Sequence, residues 1–136
     1  MPSLKVGDIR ISYELRGEGE PLVIVGGLGT DSSATTRSPR ASKRFWVLVF
    51  DNRGAGRTDK PDSPCAMEIT AEDTAGLLEK LGVWPADVLG VSMGGRIALA
   101  LLHPEKVRSL VLVSATGRPS LKARSSLRFR FSKFVE

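Results

Sequence analysis

The chain has 136 residues, 41% hydrophobic and 26% charged, enough for one modest hydrophobic core but not for two. Its single cysteine, Cys65, excludes an intrachain disulfide and a thiolate metal cluster and reads as a half-buried apolar residue. The formal charge of +5 belongs to the tail: six of 20 basic and one of 15 acidic residues fall in 118–136, leaving 14 of each in 1–117, so no surface-wide nucleic-acid footprint is implied.

The chain opens Met1-Pro2-Ser3-Leu4-Lys5-Val6, without the apolar run of a secretory signal, and its later apolar runs are strand-sized. No transmembrane segment is expected, and the protein is expected to be soluble and cytoplasmic. Leu4 to Val6 and Ile9 to Arg16 read as a hairpin around Gly7-Asp8. Ile9, Ile11, Tyr13 and Leu15 share one face of the second strand, while Arg10, Ser12, Glu14 and Arg16 share the other, which can be wet. Pro21 to Val25, Phe45 to Phe50, Val88-Leu89 and Val107 to Val113 are short, nearly continuous apolar runs, the appearance of parallel strands covered on both faces.

Two helices are expected between them, over 66–81 and 92–102. In the first, Met67, Ala71, Ala75, Leu78 and Leu81 form an apolar stripe, with Glu68, Glu72, Asp73, Glu79 and Lys80 toward solvent. Gly82 supplies its C-terminal cap and Pro85 prevents reentry. The alternation of strands and helices over 45–113 predicts a doubly wound α/β arrangement. Thr30 to Lys43 lacks apolar anchors and reads as a polar surface loop. In 118–136, Leu127, Phe131 and Phe134 or Val135 recur at helical spacing among Arg124, Arg128 and Lys133. That predicts an amphipathic helix, either one whose apolar face needs further chain to pack against or one lying on a membrane surface.

The chemistry concentrates at Gly90-Val91-Ser92-Met93-Gly94, set between an apolar strand and a helix. A serine hydroxyl projects for attack from such a sharp strand-to-helix turn, and the flanking glycines remove side chains that would collide there. Ser92 is the candidate nucleophile, the alternative being a merely structural serine. The backbone N–H of Met93, at a helix start, can stabilise an oxyanion. A second donor is expected from Gly26-Gly27-Leu28-Gly29, at Leu28, although these glycines can also serve only as a tight strand exit. Asp51 is placed to accept from following amides, with Gly54 and Gly56 relieving the turn.

Four segments together make a more specific pattern: Val25 to Gly29, Phe50 to Asp59, Leu89 to Gly95 and His103 to Leu112. In these the chain resembles the N-terminal part of the α/β-hydrolase superfamily, in the branch of 3-oxoadipate enol-lactonases, non-haem haloperoxidases and related esterases and acyltransferases, over most of residues 9–116. The resemblance implies an α/β fold, the N-terminal portion of an α/β-hydrolase: a mostly parallel sheet with an N-terminal antiparallel hairpin. It implies a partial core over 1–117 and the start of a helical lid over 118–136, so that the sequence is expected to be truncated at the lid. Asp51, Arg53, Gly54 and Gly56 then belong to a structural turn after a central strand, with Thr58 where relatives carry serine. The triad acid is implied to come later than Asp51. Relatives open the first loop with His-Gly, whereas this chain has Gly26-Gly27, losing the contacts by which that histidine braces the loop.

A serine needs a base, and the sequence has one histidine, His103. Eleven residues beyond Ser92, it stands about 16 Å along a continuous helix, beyond the roughly 3 Å of proton transfer. Its place before Pro104 suits a helix end, Lys80 reads as solvent-facing, and Arg96 does not readily deprotonate. The expected function is therefore that of a serine hydrolase-like protein, acting in complete form on a small-molecule ester, lactone or related acyl carbonyl and inactive as these 136 residues. No cofactor or metal is required. The alternative is a non-catalytic protein-binding module or one part of a split hydrolase, meeting a protein partner or another copy through an exposed sheet edge or the 127–135 apolar face. A weaker reading has the basic tail touching phosphates without sequence specificity.

Overall fold

The computed structural model describes residues 2–26, 43–62, 66–91, 94, 107–113 and 128–132. Cys65, His103, the 30–42 segment and most of the expected 92–102 helix lie outside the described residues. The strands are β1 (Ser3–Val6), β2 (Ile9–Arg16), β3 (Glu20–Val25), β4 (Phe45–Phe50), β5 (Ala86–Val91), β6 (Val107–Val113) and β7 (Arg128–Ser132), with one described helix, α1 (Met67–Leu81). They form a seven-stranded sheet in the order β1-β2-β4-β3-β5-β6-β7.

The amino-terminal hairpin follows from local chemistry. Gly7 takes φ 58, and β1 and β2 run antiparallel with Val6 opposite Ile9, a two-residue reversal. β2 joins β4 antiparallel, whereas β3 to β7 pair in parallel. This is the mixed sheet that the resemblance implied, antiparallel at its start and parallel thereafter.

Apolar runs without polar alternation bury both faces. On one, Val23 and Val25 of β3, Leu48 and Phe50 of β4, and Ala86 and Val88 of β5 pack with Ala71, Ala75, Leu77 and Leu78 of α1. On the other, Ile24, Val47 and Val49 cluster with the partly buried Leu22, Phe45 and Leu89. Successive residues point to opposite faces, so each run feeds two layers. Gly82, at φ 67, ends α1: its N–H donates to Glu79 and that of Val83 to Leu78, a Schellman-type closure.

Three expectations change. β5 spans six residues rather than the two apolar ones that mark it, because Ala86 and Asp87 pair with β6 and β3 although neither is strongly apolar. Ser12 is buried on the face of β2 expected to be wet, because the turn after β4 lies on it. Arg128–Ser132 is a strand parallel to β6, not part of an amphipathic helix. Its sequence, Arg-Phe-Arg-Phe-Ser, alternates at period two, and pairing with β6 satisfies its backbone. The rest of 118–136 lies outside the described residues.

Candidate active site

β3 lies between β4 and β5, so the chain leaves it first to one side and later returns on the other. In an open α/β sheet, the carboxyl ends of strands at such a switch frame the ligand crevice. Val25 pairs with Gly90 at this level. Gly26 leaves β3, Val91 ends β5, and the next residue in sequence is the expected nucleophile Ser92. Ser92, Met93, Gly27 and Leu28 lie outside the described residues.

Gly94 joins the two halves. It is buried, and a Cβ placed on it would stand 2.0 Å from the Val25 carbonyl oxygen and 2.6 Å from that of Gly26. Both atoms are backbone and cannot swing aside. The final glycine of the motif is therefore required by the approach of the segment after β5 to the exit of β3. Gly90 is buried within β5, in register with Val25 on one side and Leu112 on the other.

The segment after β4 forms a turn tied back to β2. Asp51 is buried; its Oδ2 accepts from the Arg57 N–H at 3.0 Å, and its own N–H donates to the Ser12 carbonyl. Thr58 Oγ1 donates to the Asp51 carbonyl at 2.7 Å and accepts from the Ser12 N–H at 3.0 Å. Gly54 and Gly56 have φ 80 and 51, and a Cβ on Gly56 would fall 2.3 Å from Asp51 Oδ2. The turn is thus wound around the Asp51 carboxylate, whose visible work is to hold backbone.

The same turn reaches the crevice. Asn52 Nδ2 donates to the Gly26 carbonyl at 3.1 Å, across 26 residues of sequence. Gly26 is therefore braced in this chain, and the brace comes from β4's exit. Asn52 is only 4% exposed, and its Oδ1 has no hydrogen-bond partner among the described residues.

Arg53 faces the opposite way, into α1. Its Nε and Nη2 donate to Asp73 Oδ2 and Oδ1 at 2.7 and 2.8 Å, while Nη2 and Nη1 donate to Asp8 Oδ1 and Oδ2 at 2.8 and 3.2 Å. Hydrogen bonding to Asp73 and then Asp8 raises the Arg53 pKa beyond its already high value, and that to Arg53 lowers the Asp8 pKa. Asp73 is buried, which corrects the solvent-facing assignment. Its partner lies 20 residues away, beyond the reach of helical periodicity. Glu68, Glu72, Glu79 and Lys80 are exposed, and Lys80 Nζ donates to the Lys5 carbonyl.

A family model described as the alpha/beta hydrolase fold matches residues 20–136. The chain belongs to the α/β-hydrolase family. Among its relatives, a protein of Azorhizobium caulinodans provisionally named carbamate hydrolase RutD is 35% identical over 121 residues, 87% of this chain and 46% of the relative. A Mycobacterium tuberculosis protein provisionally named non-heme bromoperoxidase BpoC is 38% identical over 117 residues, 81% of this chain and 44% of the relative. The enol-lactonase from Burkholderia xenovorans LB400 superposes with a TM-score of 0.82 at 31% identity, covering 86% of this chain and 48% of that one. The chain spans about half the length of these relatives.

Within this hydrolase fold the structure brings Gly26, Gly90 and Gly94 together and links Gly26 to the turn of Asp51, Arg53, Gly54 and Gly56 through Asn52. Sequence reasoning missed the side-chain work of Asn52 and Thr58. Thr58 had a signal, since the family resemblance puts a serine hydroxyl at that position. Asn52 had none, because nothing local marks a side chain aimed at another strand's exit. Among the described residues no group of three or more His, Cys, Asp or Glu is arranged to hold a metal ion, and no described helix is long and apolar enough to cross a membrane.

Proposed function

We propose that these residues are the nucleophile-bearing half of a serine hydrolase that acts on an ester, lactone or related acyl carbonyl. The observation that carries the reading is the approach of Gly94, the last glycine of the serine motif, to the Val25 and Gly26 carbonyls at the exit of β3, the sheet's switch point. Ser92 Oγ attacks the carbonyl carbon as its proton passes to a histidine, and the backbone N–H groups of Met93 and Leu28 receive the developing oxyanion. Collapse expels the alcohol, which takes that proton, and water then cleaves the acyl-enzyme by the same route. The histidine and its supporting acid come from outside these 136 residues, because on a continuous helix His103, eleven residues on, would stand about 16 Å from Ser92. The names of two of the relatives, a carbamate hydrolase and an enol-lactonase, support the acyl class without selecting a substrate.

The test compares the 136-residue chain with one extended through the coding sequence downstream, using p-nitrophenyl acetate and the Ser92→Ala variant of each. Turnover is expected only in the extended chain, and only with Ser92. Ser92-dependent turnover by the 136 residues alone would overturn the placement of the base. Ester turnover that survives Ser92→Ala, or is absent from the folded extended chain, would overturn the hydrolase reading.

A further inference from the structure

Asn52 is buried with half of its amide unused. Nδ2 donates to the Gly26 carbonyl at 3.1 Å, yet among the described residues Oδ1 meets no donor. A stranded acceptor is destabilising, and a leucine of nearly the same shape would fill the space without one. Stability alone therefore argues against an amide here. What the amide adds is its donor, whose partner among the described residues is the carbonyl at which the chain leaves β3.

That carbonyl is confined from a second side as well. A Cβ on Gly94 would lie 2.6 Å from the Gly26 oxygen, so the segment after β5 rests against the group that Asn52 holds. A peptide unit is planar, so holding its oxygen also fixes the direction in which the following amide leaves the strand. Asn52 is held in turn, since its carbonyl accepts from the Ala55 N–H at 2.9 Å and the neighbouring Asp51 is tied to β2 through Ser12. A rigid path thus runs from β2 through the turn after β4 to the mouth of the crevice.

We propose that Asn52 is a positioning residue of the hydrolase site: its Nδ2–H aims the exit of β3, and with it the oxyanion-binding loop, at the carbonyl attacked by Ser92. This rests on the serine-hydrolase reading. Because the role is to orient donors for charge that develops in the transition state, losing the donor lowers kcat rather than weakening ground-state binding.

The experiment uses the extended chain with p-nitrophenyl acetate and two replacements of similar shape. Asn52→Leu removes donor and acceptor, and Asn52→Asp keeps an acceptor but has no donor when ionised. Both are expected to lower kcat about 10- to 100-fold with KM changed less than about twofold. For Asn52→Asp, the ratio of variant to parent kcat rises as pH falls, because the protonated carboxyl regains an O–H for Gly26. Unchanged kcat in either folded variant, or a loss confined to KM, overturns the proposal while leaving Ser92-dependent turnover and the hydrolase reading intact. Turnover that is absent from the parent, or survives Ser92→Ala, removes both. Hydrogen exchange of the Asn52 side-chain amide in the unaltered protein covers the case in which neither variant folds: slow exchange supports the brace, and exchange at the rate of free asparagine overturns it.

Discussion

Removing the Asp73 carboxylate isolates the ion pair that fixes the turn after β4 to α1. Arg53 and Asp73 side chains are 4% and 9% exposed and meet through two parallel hydrogen bonds of 2.7 and 2.8 Å, whereas Asp8, the other partner of Arg53, is 68% exposed. Asp73→Ala leaves a buried guanidinium with one partner open to water and screened by salt. Breaking a buried pair from one side costs about 3–5 kcal/mol, mostly the uncompensated charge left behind. Asp8→Ala removes an exposed partner while Asp73 still satisfies the guanidinium, so its effect is far smaller and shrinks with added salt. Replacing both buried partners, as Arg53→Met with Asp73→Leu, is expected to recover most of the loss. Urea unfolding followed by circular dichroism measures all three. Equal losses for Asp73→Ala and Asp8→Ala, or a double variant as unstable as Asp73→Ala, would refute the reasoning.

Two further outcomes follow from the same geometry. Gly94→Ala forces a Cβ to within 2.0 Å of a backbone oxygen, so the segment after β5 must back away from β3. A loss of about 1–3 kcal/mol is expected, together with loss of Ser92-dependent turnover in the extended chain, and a variant with the parent's melting temperature and kcat would contradict the contact. At the opposite end of the sheet, Arg108 donates to Asp87 and Glu20, and hydrogen bonding to Arg108 lowers the Asp87 pKa. A carboxylate whose pKa is lower in the folded than the unfolded state stabilises the fold above its ordinary value near 4 and loses that contribution as pH falls through the lowered value. Arg108→Gln should therefore lower the melting temperature at pH 7 and converge on the parent at strongly acidic pH; a constant deficit would show that the contact is not ionic.

Much of the sheet was legible because its strands repeat one physical statement. Phe45 to Phe50 is apolar on every residue, the pattern of a strand buried on both faces, and Val107 to Val113 is apolar on all but Arg108 and Ser109; both match the observed bounds. Gly82 was equally legible, since a stripe ending at Leu81 followed by glycine states a helix end in purely local terms. Asp73 was not. A charge on an amphipathic helix defaults to water, and only a cation arriving from another element reverses that default. Asn52 fails for the same reason: its partner is a main-chain carbonyl, which leaves no mark in sequence. The site was marked in sequence by its glycines, while the side chain that holds Gly26 in place was silent.

The strand at 128–132 shows how far periodicity reaches. Leu127, Phe131 and Phe134 satisfy a helix, and Arg128 to Ser132 satisfies a strand, because a window of five residues holds barely more than one helical turn. What decides between them is not in the window. β6 offers its outer edge, and Ser109 to Val113 pair residue for residue with Arg128 to Ser132. An isolated turn of helix gains little against its nucleation cost, whereas a strand added to an existing sheet acquires a ready-made row of hydrogen-bond partners. An ambiguous segment beside an unfilled sheet edge is therefore resolved by the edge, which is why β7 stands beside β6 at the end of the strand order.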